Sequence, residues 1–188
     1  MNYNISKSKA EIYRIRNIEN SWFAWADITI DENVESGRIS ISSDYGNWSY
    51  YWSSCGCSFK EFLCGVSIDY VAEKFRESHW FDQEATIQHL KHIIIEQRKQ
   101  DDLTEEEARS YYNLIETDLE HIQDQTVFEI ALHQSELSQI DEWFEVSTNI
   151  SPSFNQFWEN PWQAFISQLK AEKEGMNTSH SISSETVQ

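Results

Sequence analysis

The chain has little of what loop-built catalytic sites require. Five glycines and two prolines in 188 residues leave few positions for a backbone cradle around a phosphate, and neither G-x-G-x-x-G nor G-x-x-x-x-G-K-[ST] occurs. A G-x-S-x-G elbow is missing as well, so a serine-hydrolase reading has no motif to start from. Three cysteines, an odd number, cannot close a complete disulfide framework, which agrees with a reducing compartment. Apolar runs such as "HIIIE" fall far short of the roughly 20 residues of a membrane span. The opening "MNYNISKSKAEIYRIR" lacks the apolar stretch of a signal peptide. A cytoplasmic protein is expected.

Positive charge is the scarcest commodity: 14 Lys and Arg stand against 32 Asp and Glu, a net charge of −18. The deficit is uneven, with net −4 over residues 1–94 and −14 over 95–188. Between Arg109 and Lys170 there is no Lys or Arg at all, while ten acids lie there. Nucleic-acid phosphates need a basic footprint, so this half is not expected to bind them directly. Its carboxylates suit a basic surface on another protein, or serve only to keep the chain soluble. Glu116, Asp118, Glu120, Asp124, Glu129, Asp141 and Glu142 are the candidate contact residues.

What is present is aromatic. Apolar residues make up 39% of the chain and aromatics 14%, with eight Trp, enough to build a core although Leu and Val are sparse. The length suits one domain. Alternating patterns over residues 10–54, from "EIYRIRNI" through "ADITI" and "GRISISS" to "WSYYW", predict a four-stranded antiparallel meander. From Ser58 the period becomes helical. Ser58 with Glu61, and Thr104 with Glu107, read as capping boxes, and Asp82 caps a helix over 83–99. A further helix is expected over about 127–137. Ser151-Pro152 and Asn160-Pro161 each read as a cap followed by proline at the first helical position. The Ser/Thr-rich stretch from Gly175 reads as a mobile tail. The expected architecture is α+β: one domain over 1–174, its N-terminal sheet covered by C-terminal helices, and a tail over 175–188.

Two constellations could carry chemistry. Cys55, Cys57 and Cys64 with His79 offer four zinc-ligand types, but C-x-C followed six residues later by Cys does not match C-x2-C knuckles. His89 and His92, with Glu96 a turn on, lack the acid of H-E-x-x-H. No metal, cofactor or catalytic residue is assigned. The stretch "SDYGNWSYYWSSCGC" reads best as a hairpin turning at Asp44 to Asn47, with Gly46 taking a positive φ. The alternative makes Tyr45, Trp48, Tyr50 and Trp52 an exposed recognition face.

"ISSDYGNWSYYWSSCG", followed by "SFKEFLCGVSIDYVAEKF" and later "NPW", resembles a group of small acidic proteins encoded in tailed phages and prophages. The resemblance is firmest over residues 37–76. It implies a genomic setting and a host cytoplasm, and supplies no catalytic residues. Small acidic phage accessory proteins often resemble host-defence antagonists of the anti-CRISPR or anti-restriction type. In that setting the expected partner is a host protein with a basic nucleic-acid-binding surface, such as a CRISPR effector or nuclease. The alternatives are a small phage enzyme with an unrecognised Cys/His site, or a structural accessory protein.

Overall fold

The computed structural model describes residues 3–5, 7–16, 25–140 and 144–183, with side chains up to 175. The chain divides into two compact units, Met1–Ser78 with Ile150–Gln188, and His79–Asn149. Each has its own apolar cluster.

The first unit opens with β1 (Glu11–Ile15), β2 (Ala26–Glu32), β3 (Gly37–Ser43) and β4 (Gly46–Trp52), paired in chain order as the antiparallel meander that the alternation predicts. One face carries Ala26, Ile28, Ile30, Ile39, Ile41, Trp48 and Trp52, all buried. The other presents Thr29, Ser40, Ser42, Ser49 and Tyr51. Ser40 faces Ser49 at 3.1 Å, and the Ser42 hydroxyl donates to Asn47 at 2.8 Å. This side therefore stays solvated, with its serine hydroxyls paired across the strands.

The apolar face is covered by α1 (Phe59–Leu63), α2 (Ile68–Phe75), α6 (Pro152–Phe157) and α7 (Gln163–Ser183). Phe59 lies so close over Gly37 that a Cβ there would stand 2.3 Å from its ring, which explains a glycine inside a strand. Ser58, Ser67 and Ser151 cap α1, α2 and α6, each accepting from the backbone N–H three residues on. The expected start at Asn160-Pro161 is absent. Helix continues from α6 through a π turn, Trp158–Trp162, into α7, with Pro161 inside it. Proline cannot donate to the carbonyl four residues back, and the wider turn relieves the clash with it. Burying Pro161 and Trp162 against the core sets the direction. Asn160 donates its side-chain amide to the Gln156 carbonyl at 3.0 Å rather than capping. The tail expected from Gly175 falls largely outside the described side chains; helical backbone runs to Ser183.

The second unit begins with β5 (Trp80–Phe81), paired antiparallel with β6 (Thr148–Asn149), so its incoming and outgoing strands meet. Between them run α3 (Gln83–Lys99), α4 (Glu105–Leu114) and α5 (Gln125–Gln134). A π turn, Ile115–Leu119, extends α4, and a 3-10 turn, Glu136–Gln139, follows α5. Asp82 caps α3 through the Ala85 N–H at 2.9 Å, and Thr104 and Glu107 close the capping box of α4. The core is Ile87, Leu90, Ile94, Ile115, Leu119, Phe128, Leu132 and Leu137. The π turn has a packing reason: it keeps both Ile115 and Leu119 fully buried at the end of a helix that otherwise buries nothing completely.

Candidate functional site

The charge of the chain is concentrated in the second unit. Residues 79–149 carry 17 Asp and Glu against four Lys and Arg, so −13 of the net −18 lies there. All four cations are already paired with carboxylates of the same unit. Lys91 meets Glu120 at 3.5 Å, Arg98 meets Asp101 at 3.2 Å, Lys99 meets Glu96 at 2.8 Å, and Arg109 meets Glu105 at 3.0 Å. The remaining 13 acids have no cation of their own unit left to neutralise them, which leaves a strongly negative local potential.

Part of this acidity serves the fold. The Glu107 carboxyl is held below its ordinary value by the Thr104 hydroxyl and then the Thr104 backbone N–H, and three glutamates open α4 where the helix dipole favours negative charge. Lys99 holds Glu96 down in the same way.

The expected contact residues separate into kinds. Glu116 and Asp118 are exposed on the π turn, and Asp118 accepts from the Thr117 hydroxyl at 2.7 Å. Glu120 pairs with Lys91, and its carbonyl accepts from the Gln83 amide at 2.6 Å. Asp124 is the N-cap of α5, accepting from the Val127 N–H at 2.9 Å. Glu129 is half-buried and accepts from Gln125 at 2.8 Å. Asp141 and Glu142 lie outside the described residues. The structure adds Glu136, exposed at the start of the 3-10 turn, which with Asp118 lines a shallow depression of about 530 Å³. No sequence motif marks that pair; it depends on how α4 and the 3-10 turn pack.

The aromatic hairpin goes mostly into the core. Trp48 and Trp52 are 7% and 5% exposed. Trp48 packs on Phe75, Phe154 and Phe157 and donates its indole N–H to Glu77 at 2.8 Å. Trp52 packs on Phe59 and Phe62 and donates to the Tyr70 hydroxyl at 2.9 Å. Tyr45 and Tyr50 are half-buried against the same cluster, so these four do not form an exposed face. The turn sits one residue earlier than expected. Ser43 pairs with Gly46 around Asp44 and Tyr45, and the Ser43 hydroxyl accepts from the Tyr45 and Gly46 N–H groups at 3.3 and 3.2 Å. Gly46 is required by proximity: a Cβ there would stand 2.5 Å from the Trp48 ring.

The three cysteines are free thiols in the first unit, while His79, His89, His92, His121 and His133 belong to the second. Burial pushes the Cys55 and Cys64 thiols up, away from the thiolate that nucleophilic attack needs. Among the described residues, no three His, Cys, Asp or Glu side chains converge on a metal-sized site. No described helix is long and apolar enough to cross a membrane.

No curated protein and no solved structure matches the chain. A family does. From residue 3 to residue 171, through the strand meander, the whole acidic unit and the start of α7, the sequence matches Phage_phiTE_072, a phage family, and the chain belongs to that family.

Proposed function

We propose that this phage protein is a non-catalytic binder whose second unit occupies a basic, nucleic-acid-binding surface of a host protein, in the manner of a host-defence antagonist. The observation that carries this reading is the segregation of charge: −13 within 71 consecutive residues whose four cations are all internally paired. A groove built to hold phosphates attracts such a surface by the same field that draws DNA, and attraction between opposite patches speeds encounter more than it tightens the final complex. Glu116, Asp118 and Glu136 are the contact carboxylates: all three are exposed, Asp118 and Glu136 line one depression, and among the described residues none of them holds a cap or an ion pair.

The test is affinity capture from host lysate followed by calorimetry on the purified captured protein. Affinity falls as salt rises, because the screening length shrinks from about 8 Å at physiological ionic strength to about 3 Å at 1 M. Replacing Glu116, Asp118 and Glu136 together by Lys abolishes binding while the melting curve stays cooperative. A partner whose affinity ignores both salt and the triple substitution overturns the proposal.

A further inference from the structure

The sheet unit carries a second, unrelated feature. Among the described residues β1 is an edge strand: it pairs with β2 on one side, and a groove of about 420 Å³ runs along it where α7 packs against it. The floor and walls come from Ile12 to Ile15 on the strand and from Ala164, Phe165, Gln168 and Glu172 on one helix face. A free edge of this kind exposes a row of backbone donors and acceptors, and natural proteins usually blunt it with proline, a bulge or a covering element. β1 contains no proline and pairs with β2 in unbroken one-to-one register.

The two ends of the groove differ chemically. At one end the Tyr13 ring meets Phe165 edge-on at 5.0 Å, and Ala164 and Ile15 continue the apolar wall. Beyond Ile15 the Arg16 guanidinium takes the Ile15 carbonyl at 2.7 Å, which closes the edge there. At the other end Glu11 and Glu172 converge. The Tyr13 hydroxyl lies 2.7 Å from Glu11 and 3.1 Å from Glu172, and its single proton can be given to only one of them. Lys60 reaches Glu11 at 2.7 Å and Glu172 at 3.5 Å. Two carboxylates therefore share one ammonium group, and this end of the groove is acidic.

We infer that the β1–α7 groove binds an extended segment of a partner protein as a fifth strand, with apolar side chains toward Ile15 and Ala164 and a Lys or Arg beside Glu11 and Glu172. Main-chain hydrogen bonds along the edge give the affinity, and alternate side chains give the choice of partner. Because side chains on one face recur every second residue, an antiparallel arrival reads apolar-x-apolar-x-basic. The site lies in the other unit from the acidic surface and does not rest on the function proposed for it.

The probes are two fluorescein-labelled peptides, Val-Thr-Val-Thr-Arg and Val-Thr-Val-Thr-Glu, titrated against the full-length protein by anisotropy, with backbone hydrogen exchange at 11–15 read in parallel. The arginine peptide binds at least about tenfold more tightly than the glutamate one, equivalent to about 1.4 kcal/mol, and slows exchange in β1. Ala164→Trp, at an exposed helix position that lines the groove, removes binding without lowering the melting temperature. Glu172→Gln narrows the preference for arginine and leaves exchange protection in place. Binding unchanged by Ala164→Trp, or no preference between the peptides, overturns the inference. So does a dimer that Ala164→Trp dissociates, since the occupant is then a second copy of this chain.

Discussion

At the scale of single residues, the aromatic stretch 43–57 is explained by burial with a polar handle. Each tryptophan places its ring among phenylalanines while its N–H finds a partner, Glu77 for Trp48 and Tyr70 for Trp52. Replacing either Trp by Ala costs about 3 to 5 kcal/mol, read as a drop in the urea midpoint with the slope preserved; unchanged melting would put the rings outside the core. The Lys60 cluster makes a pH prediction. Hydrogen bonds from Lys60 and then Tyr13 hold the Glu11 carboxyl below its ordinary value. A depressed carboxyl contributes stability that is present above its unfolded pKa and lost as pH falls through the folded one. Lys60→Met therefore lowers stability near neutral pH, and the gap between variant and parent narrows in acid below about pH 4. Glu11 is more than half exposed, so the neutral-pH gap from this pair stays at or below about 1 kcal/mol. A gap that widens in acid would contradict the assignment.

At the scale of elements, caps decide which acidic residues can be changed freely. Asp124→Ala removes the cap of α5 and costs about 1 kcal/mol, whereas Glu116→Ala, exposed on the π turn, stays within about 0.5 kcal/mol. Equal losses in chemical denaturation would mean that Asp124 does not hold the helix. The same local chemistry explains what the sequence made legible. Asp82 and the Thr104–Glu107 pair locate α3 and α4 because capping acts within three residues, and the Ile-x-Ile alternation locates β2 and β3 because one face is buried throughout. The π turns were hidden. Pro161 after Asn160 has the local signature of a helix start, and only the burial of Trp162 and Pro161 in the finished core shows that the helix continues. The site was legible as charge and not as geometry: Glu120 and Asp124 look equivalent to Glu116 and Asp118 in sequence, and differ because Lys91 and the Val127 N–H reach them in space.

At the scale of the whole molecule, the acidic unit is inserted into the chain between Ser78 and Ile150. The first unit closes around the insertion point by itself: Ser151 donates its N–H to the Glu77 carbonyl at 2.9 Å and its hydroxyl to the Glu77 carboxylate at 2.6 Å. Because its apolar cluster draws only on residues outside 79–149, replacing that segment with a short Gly/Ser loop leaves a cooperatively melting sheet unit. The shortened chain loses −13 of charge and with it capture of the basic partner; a shortened chain that still captures it would move recognition to the sheet unit. The most direct test of the central claim is competition. The captured host protein is titrated with a labelled DNA duplex in the presence of increasing amounts of the full-length phage protein. Occupation of a nucleic-acid groove predicts that DNA is displaced one for one, and that the Glu116→Lys, Asp118→Lys, Glu136→Lys variant displaces none. A ternary complex, with DNA and the phage protein bound together at undiminished affinity, would contradict it.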